Sequence, residues 1–285
     1  PEARVGVLLV THGRLGRFFL DTMREMLDEL PLPTEVLEVR RIQDTELLQR
    51  DGLRIIERLE QHAGGPLFIY THALDAHYTV SPKKAADSFE RYLSNLELVD
   101  ASIGDLRAAI DRLGLAERTI LIVSSDHGEA FGEHDTTRHR STLYEELLRV
   151  PLLIHGPGVD PRAIDLPVSL MDLGPTILDI FGRPTPGSFM GQSLAAFLRG
   201  GRPRISRPIV AEGRLKKALF FPEGLKVIVD DRHNTSEVYD LKRDPSELEN
   251  LLDASARASE RVQVLRAFFE VHEIQREGYT VPFRP

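Results

Sequence analysis

Apolar segments alternate with polar loops in the first half of the chain, and this pattern predicts a β-α-β-α-β series. An apolar strand over Val5–Val10 leads into the turn Thr11-His12-Gly13 and an amphipathic helix that extends to about Leu30. Two prolines then end the helix. The pattern next predicts a strand at 35–39, a helix at 45–61 and a strand at 67–72. Such a series is typical of a parallel sheet with helices on its faces.

The middle of the chain predicts one long helix and a buried strand. Apolar residues spaced by three or four positions predict a helix over residues 88–113, which ends at Gly114. The segment TILIVSS at 119–125 is apolar with little alternation, as expected of a central strand. A short strand follows Pro151, and a helix is expected near 171–181.

A change of composition at residues 200–204 (GGRPR) predicts a linker between two domains. Beyond it the pattern predicts three short strands and a closing helix, at 208–212, 225–229, 236–240 and 257–275. The predicted fold is therefore α/β, with a mainly parallel sheet covered by helices on both faces and a small C-terminal antiparallel subdomain. The expected domains are residues 1–200, including a distinct N-terminal segment at 1–61, and an α+β subdomain at 201–285.

Bulk composition excludes several classes of function. The formal net charge of −8 and the pI near 5.7 argue against binding to nucleic acid or to anionic membranes, which requires a basic surface. No apolar run reaches the length of a membrane span and no signal pattern opens the chain, so a cytoplasmic location is expected. The absence of cysteine excludes disulfides, thiolate zinc sites and a cysteine nucleophile.

The segment 124–158 (SSDHGEAFGEHDTTRHRSTLYEELLRVPLLIHGPG) carries the densest group of chemically reactive side chains. Asp126 and His127 follow directly after an apolar strand, and ligands bind at the carboxyl ends of strands in open α/β sheets. A carboxylate beside an imidazole can provide two ligands for a divalent cation. His134 and His139 follow on a glycine-containing loop that could return to the same place. The alternative is a turn-capping aspartate among surface histidines.

A second polar cluster, THALDAH at residues 71–77, also follows a predicted strand. It contains His72, Asp75 and His77. If its strand neighbours the strand at 119–125 in one parallel sheet, both clusters face the same crevice. The alternative is that His72 is an ordinary strand residue and only His77 takes part in a site.

Five motifs, in order and spacing, resemble the sulfatases of the alkaline-phosphatase superfamily between about Pro66 and Leu252. They are SSDHGEAFGEH, LYEELLRVPLLIHGPG, LPVSLMDLGPTILDIFG, GQSL and VYDLKRDPSELENL. The resemblance implies a large α/β domain with a smaller C-terminal subdomain. It also implies hydrolysis of a small-molecule sulfate ester, or of a phosphate or phosphonate ester as in relatives of the family.

The resemblance further implies a role for each residue of the clusters. Asp126 and His127 would bind a divalent metal, with calcium expected first and manganese or zinc as alternatives. His77 would assist the leaving group, and His139 would contact the sulfuryl oxygens. His134 would be a supporting group nearby. A metal and cationic imidazoles would stabilise the negative charge of the transition state.

Two parts of the family's chemistry are missing from these 285 residues. The family uses a formylglycine made within a C/S-x-P-x-R motif, or a plain Ser or Thr in phosphatase-like relatives, and no such motif is found. Where two acidic ligands are expected after the first strand, the chain has Thr11-His12-Gly13, and Asp21 lies well into the next predicted helix. An incomplete or inactive hydrolase is therefore expected.

The N-terminal segment resembles a different family. Residues 5–41 (VGVLLVTHGRLGRFFLDTMREML…LPLPTEVLEVRR) look like the start of a mannose-type phosphotransferase-system IIA domain. That resemblance implies a phosphocarrier in which His12 accepts a phosphoryl group. The alternatives left open are a turn without chemistry at His12 and a non-catalytic chimeric or truncated scaffold. The sequence leaves the oligomeric state open.

Overall fold

The structure, a computed structural model, describes residues 7–12, 34–39, 47–61, 67–71, 88–139, 142–202, 207–213, 215–254 and 256–272. The chain divides into two compact units, residues 1–120 and 121–285. The expected domain boundary at residue 200 stays a prediction. In the described part of the chain, no helix is both long enough and apolar enough to cross a membrane.

The first unit contains a parallel sheet with the strand order β2-β1-β3. Its strands are β1 (Val7–His12), β2 (Thr34–Val39) and β3 (Phe68–Thr71). Strand β1 pairs in parallel register with both neighbours, so the predicted parallel pairing is confirmed for these strands. His12 is the last residue of the central strand. The helix expected to extend to Leu30 lies outside the described residues.

Two helices accompany this sheet, α1 (Leu47–Gln61) and α2 (Ser88–Arg112). Ile55 of α1 is buried among apolar side chains of α1, α2 and the β3 segment, which are Leu59, Leu106, Leu67 and Ile69. Helix α2 ends as predicted, because Gly114 adopts a φ of +66° that favours glycine. The spacing of apolar residues therefore predicted both helices to within two residues at each end.

The second unit begins with a two-stranded antiparallel sheet. Strand β4 (Leu121–Ser124) pairs with β5 (Leu152–His155). The connection between them contains a 3₁₀ turn at Glu133–Asp135 and the four-residue helix α3 (Glu145–Leu148). The expectation of a mainly parallel sheet is thus not confirmed, because β4 forms its described pairing with an antiparallel partner.

A four-stranded antiparallel sheet with the order β6-β7-β8-β9 follows, as expected for the C-terminal part. Its strands are β6 (Ile209–Glu212), β7 (Lys216–Phe220), β8 (Leu225–Asp230) and β9 (Thr235–Asp240). Helix α6 (Ala256–Val271) packs on this sheet through Ala258, Val262 and Leu265. Two helices precede the sheet, α4 (Leu173–Ile180) and α5 (Ala195–Leu198).

Candidate functional site

The residues after β4 form a turn that its own side chains stabilise. The hydroxyl of Ser124 donates to the carbonyl of Pro151 at 2.8 Å, and the hydroxyl of Ser125 donates to the carbonyl of His127 at 2.6 Å. The backbone N–H of His127 donates to Oδ1 of Asp126 at 3.0 Å. These short-range bonds hold Asp126 and His127 at the end of the strand, where the sequence predicted them.

The imidazole of His127 is oriented by one backbone contact. Its Nδ1 lies 2.7 Å from the carbonyl oxygen of Gly128, which can only accept a hydrogen bond. Nδ1 therefore carries the proton in the neutral ring, and the lone pair lies on Nε2. This Nε2 is 3.8 Å from Oδ2 of Asp126. Histidines that bind metals have this arrangement, with one nitrogen held by the protein and the other open to the cation.

Gly128 is the residue through which this turn packs against the backbone of helix α3. Its N–H donates to the carbonyl of Leu147 at 2.7 Å. A Cβ at this position would lie 2.1 Å from the carbonyl oxygen of Glu146, which is closer than real Cβ contacts. Only glycine allows the backbone after His127 to approach α3 so closely.

A hairpin-like loop returns His139 to His127. Phe131 and Thr137 form an antiparallel bridge, and the N–H of Arg138 donates to the carbonyl of Ala130 at 2.8 Å. The ring centroids of His127 and His139 are 4.6 Å apart, with the ring planes tilted by 35°. The loop therefore brings Asp126, His127 and His139 together, as the sequence suggested.

Glu129 lies behind the ring of His139. Its Oε2 is 3.4 Å from Nδ1 of His139, at the long end of a hydrogen bond, and its side chain is largely buried. A carboxylate on Nδ1 orients the ring and leaves Nε2 facing away from Glu129. The sequence interpretation did not assign Glu129, although an acidic residue two positions after a candidate metal ligand was a usable signal.

His134 is held by contacts on both ring nitrogens. Its Nδ1 is 3.0 Å from Oε1 of Glu146, and its Nε2 is 3.2 Å from the backbone carbonyl of Glu247. The ring stacks on Tyr144 with a centroid distance of 3.8 Å and an interplanar angle of 13°. The structure thus places His134 in a packed position between separate segments of the second unit.

Glu247, one of the two acceptors of His134, belongs to a buried ionic cluster that sequence reasoning missed. Lys226 is fully buried, and its Nζ lies 2.7 Å from Oε1 of Glu247 and 3.1 Å from Oε1 of Glu145. Glu247 also accepts the backbone N–H of Glu145 at 2.6 Å. The one sequence signal for this cluster was a lysine in the apolar strand LKVIVD, because lysine is rarely buried without a partner.

The donors for a metal are incomplete in the described part of the chain. No group of three or more His, Asp or Glu residues arranged to hold a metal ion occurs among the residues that the structure describes. Asp126 and His127 fit as two ligands, because the open Nε2 and a carboxylate oxygen lie 3.8 Å apart, a gap one cation can bridge at bonds of about 2.0–2.4 Å. The expected cluster of His72, Asp75 and His77 lies outside the described residues.

Comparisons with known proteins agree with the sequence motifs. A family model described as "Sulfatase" matches residues 20–183, which is more than half of the chain. Arylsulfatase K from Bos taurus is 38% identical over 126 residues, covering 44% of this chain and 23% of the relative. An ulvan-active sulfatase from Formosa agariphila is 33% identical over 135 residues, covering 45% of this chain and 26% of the relative. The matched region spans about a quarter of each relative's length.

The fold is also shared with solved structures. A 2-O GAG sulfatase superposes with a TM-score of 0.69 at 16% sequence identity, covering 89% of this chain and 71% of that protein. At this identity the likeness shows a common sulfatase-like α/β fold. The family match begins at residue 20, after His12.

Proposed function

The chain belongs to the sulfatase family, and on this premise we propose that it is a metal-dependent hydrolase of sulfate or phosphate esters with an incomplete active site. The proposed substrate is a small-molecule ester. Asp126 and His127 are the proposed metal ligands, and His139 is the proposed contact for the ester oxygens. His77 is proposed to assist the leaving group.

The arrangement of His127 is the observation that carries this proposal. Its Nδ1 is bound to the Gly128 carbonyl, so Nε2 is left with a lone pair beside Oδ2 of Asp126. The ring of His139 lies against that of His127. A carboxylate oxygen, an open imidazole nitrogen and a second imidazole therefore meet at the end of β4.

Each side chain has a separate part in the chemistry. A divalent cation held by Asp126 and His127 would polarise the ester and stabilise the charge on its oxygens. His139, oriented by Glu129, would contact the ester oxygens through its imidazole ring. Proton donation to the leaving oxygen is assigned to His77 by the resemblance to the family.

The proposal of an incomplete site rests on the nucleophile motif and the acidic ligand pair that these residues lack. The 285 residues contain no cysteine and no S-x-P-x-R motif, so the chain offers no precursor for a formylglycine in that context. The acidic ligand pair expected after the first strand is replaced by Thr11-His12-Gly13. Without these groups, we expect the protein to bind a cation and an oxyanion but to hydrolyse esters weakly or not at all.

Calorimetry with calcium, manganese and zinc tests the proposal directly. We expect wild type to bind at least one of these cations and both Asp126→Ala and His127→Ala to lose that binding. The matched controls are Asp165→Ala and His155→Ala, which change exposed residues of the second unit. Hydrolysis of p-nitrophenyl sulfate and p-nitrophenyl phosphate is expected to be weak or absent. A wild type that binds no cation, or an Asp126→Ala protein that binds equally well, would overturn the metal site.

A second candidate function uses His12. The structure places this residue at the carboxyl end of the central strand of a parallel sheet, with β2 and β3 on either side. This is the position at which α/β folds bind ligands, and it supports a phosphocarrier as the alternative. Supplying the general phosphotransferase proteins should then give an acid-labile phosphohistidine in wild type. Equal labelling of His12→Ala, or no label at all, would refute it.

A further inference from the structure

His134 faces two groups that can only accept hydrogen bonds. Oε1 of Glu146 lies 3.0 Å from Nδ1, and the backbone carbonyl of Glu247 lies 3.2 Å from Nε2. A neutral imidazole has one N–H and can satisfy one of these acceptors, whereas an imidazolium has two and satisfies both. The geometry therefore requires the charged form of His134 for both contacts to be hydrogen bonds.

One of these acceptors, Glu247, and the stacking partner Tyr144 are themselves bound to the C-terminal sheet. Glu247 is paired with Lys226 of β8, and both side chains are fully buried. Tyr144, on which the imidazole stacks, donates its hydroxyl to Oε2 of Glu237 in β9 at 2.7 Å. His134 thus connects the loop that follows β4 to an anchored surface 113 residues further along the chain.

Residues with positive φ cluster at the two ends of the His134 contact. Five described residues other than glycine have positive φ, and four of them lie at the two ends of the His134 contact. They are His134 (50°), Asp135 (53°), Arg138 (68°) and Glu247 (54°). Such conformations are unfavourable for residues other than glycine and persist where surrounding contacts determine them. The hydrogen bonds of His134 are contacts of this kind.

We propose that protonated His134 is a positioning residue, a clasp that fixes the loop of residues 126–139 against Glu146 and Glu247 and opens when the imidazole loses its proton. His134 lies between His127 and His139 in the loop, so an open clasp frees the segment that returns His139 to His127. The positioning role rests on the proposed function. The clasp itself rests on the contacts of His134 alone.

Charges around His134 determine when the clasp opens. Burial alone would lower the pKa of His134, but the hydrogen bonds to Glu146 and Glu247 and their negative charge outweigh it and raise the pKa above 6.5. The titratable groups around the ring from its own turn, from the α3 segment and from the Glu247 loop are mostly acidic. They are Glu133, Asp135, Tyr144, Glu145, Glu146 and Glu247. Lys226 of β8 pairs with the carboxylates of Glu145 and Glu247.

Hydrogen exchange and imidazole ¹⁵N shifts test the clasp without metal or substrate. In wild type below pH 6.5 we expect both His134 nitrogens to be protonated and the amides of 130–139 to be protected. Above the pKa of His134, protection should fall by about 10- to 100-fold after correction for intrinsic exchange, as expected for losing one charge-assisted bond. His134→Asn, which tolerates positive φ, should exchange fast at every pH, and His155→Asn should match wild type.

Separate outcomes decide the clasp and the proposed function. A His134 with the ¹⁵N shifts of a neutral tautomer at pH 6, or a His134→Asn loop as protected as wild type, overturns the clasp. If His134→Asn does not fold, the hydrogen exchange of Glu146→Gln and the wild-type pH titration still test the clasp.

The positioning role predicts that cation affinity at Asp126 and His127 weakens in His134→Asn at pH 6, and an unchanged affinity overturns that role. Absence of cation binding in wild type refutes the proposed function and leaves the exchange result standing.

Discussion

The ammonium nitrogen of Lys226 lies 2.7 Å from Oε1 of Glu247, and neither side chain is exposed to solvent. Burial raises the pKa of Glu247, while the charge and hydrogen bond of Lys226 oppose that rise. Glu145 adds a second carboxylate 3.1 Å from the same nitrogen. The pair and Glu145 thus join β8 to the α3 segment and to the segment after β9, and the last two segments also contact His134.

Removing Lys226 should therefore leave a buried carboxylate without its counter-ion. We expect Lys226→Met to lower the free energy of unfolding by about 3–5 kcal/mol. Lys226→Met combined with Glu247→Gln should lose less, because the amide carries no charge and can still accept the N–H of Glu145. Lys217→Met is the matched control, since its pair with Asp231 is partly exposed and is worth about 0–1 kcal/mol. Urea unfolding gives these values, and equal losses at the two lysines would contradict the prediction.

The sequence alone predicted that Asp126 and His127 lie at a strand end, because the strand and the two residues are adjacent in the chain. An apolar strand followed at once by Asp-His can be recognised without knowing what the strand pairs with. The partners of His134 could not be found in that way. Glu146 is 12 residues away and Glu247 is 113 residues away, and only folding brings them together.

The pairing direction of β4 also could not be predicted from the local pattern of residues. Apolar residues with little alternation fit a buried strand of either direction, so the pattern predicted β4 and the strand after Pro151, but not that the two strands pair antiparallel. Strand β7 was not predicted at all. Its sequence KKALF opens with two lysines and lacks alternation, yet Ala218 and Leu219 are fully buried in the sheet.

Gly128→Ala should distort the candidate site through a steric clash. The added methyl group would meet the carbonyl of Glu146 at 2.1 Å, and backbone atoms must move to admit it. We expect a loss of stability of about 1–3 kcal/mol and weaker cation binding at Asp126 and His127. Gly187→Ala is the control, because nothing lies within 4 Å of a Cβ there. Thermal unfolding and calorimetry measure the two effects, and a Gly128→Ala protein indistinguishable from the control would exclude the clash.

Replacing Arg207 should lower the free energy of unfolding far more than replacing Arg199 of the same unit. Its guanidinium donates to Oδ1 of Asp172, a fully buried carboxylate that also accepts the N–H groups of Ser169 and Gln192. We expect Arg207→Ala to cost about 3–5 kcal/mol of unfolding free energy, because Asp172 would keep its charge without a counter-ion. Arg199→Ala removes an exposed pair with a separation of 3.7 Å and should cost about 0–1 kcal/mol. Chemical denaturation of both variants measures the difference.

Acid should weaken the fold through Glu223, which two arginines of helix α6 surround. Oε1 of Glu223 lies 2.8 Å from Arg261 and 3.2 Å from Arg257. Burial would raise the pKa of Glu223, but a backbone hydrogen bond and the charge of Arg261 outweigh it and hold the pKa below 4.5. The folded state then binds this proton more weakly than the unfolded state does. The contribution of Glu223 is therefore present above pH 4.5 and is lost as the pH falls through the folded-state pKa.

The variant Glu223→Gln isolates this contribution because the amide cannot titrate. At pH 6 it should be less stable than wild type, and the difference in unfolding free energy should narrow as the pH falls below 4.5. Glu249→Gln changes an exposed carboxylate and should follow wild type throughout. Urea unfolding between about pH 3 and pH 6 measures the three curves. A difference that stays constant over this range would show that Glu223 contributes packing rather than charge, because only an ionised carboxylate gives a pH-dependent term.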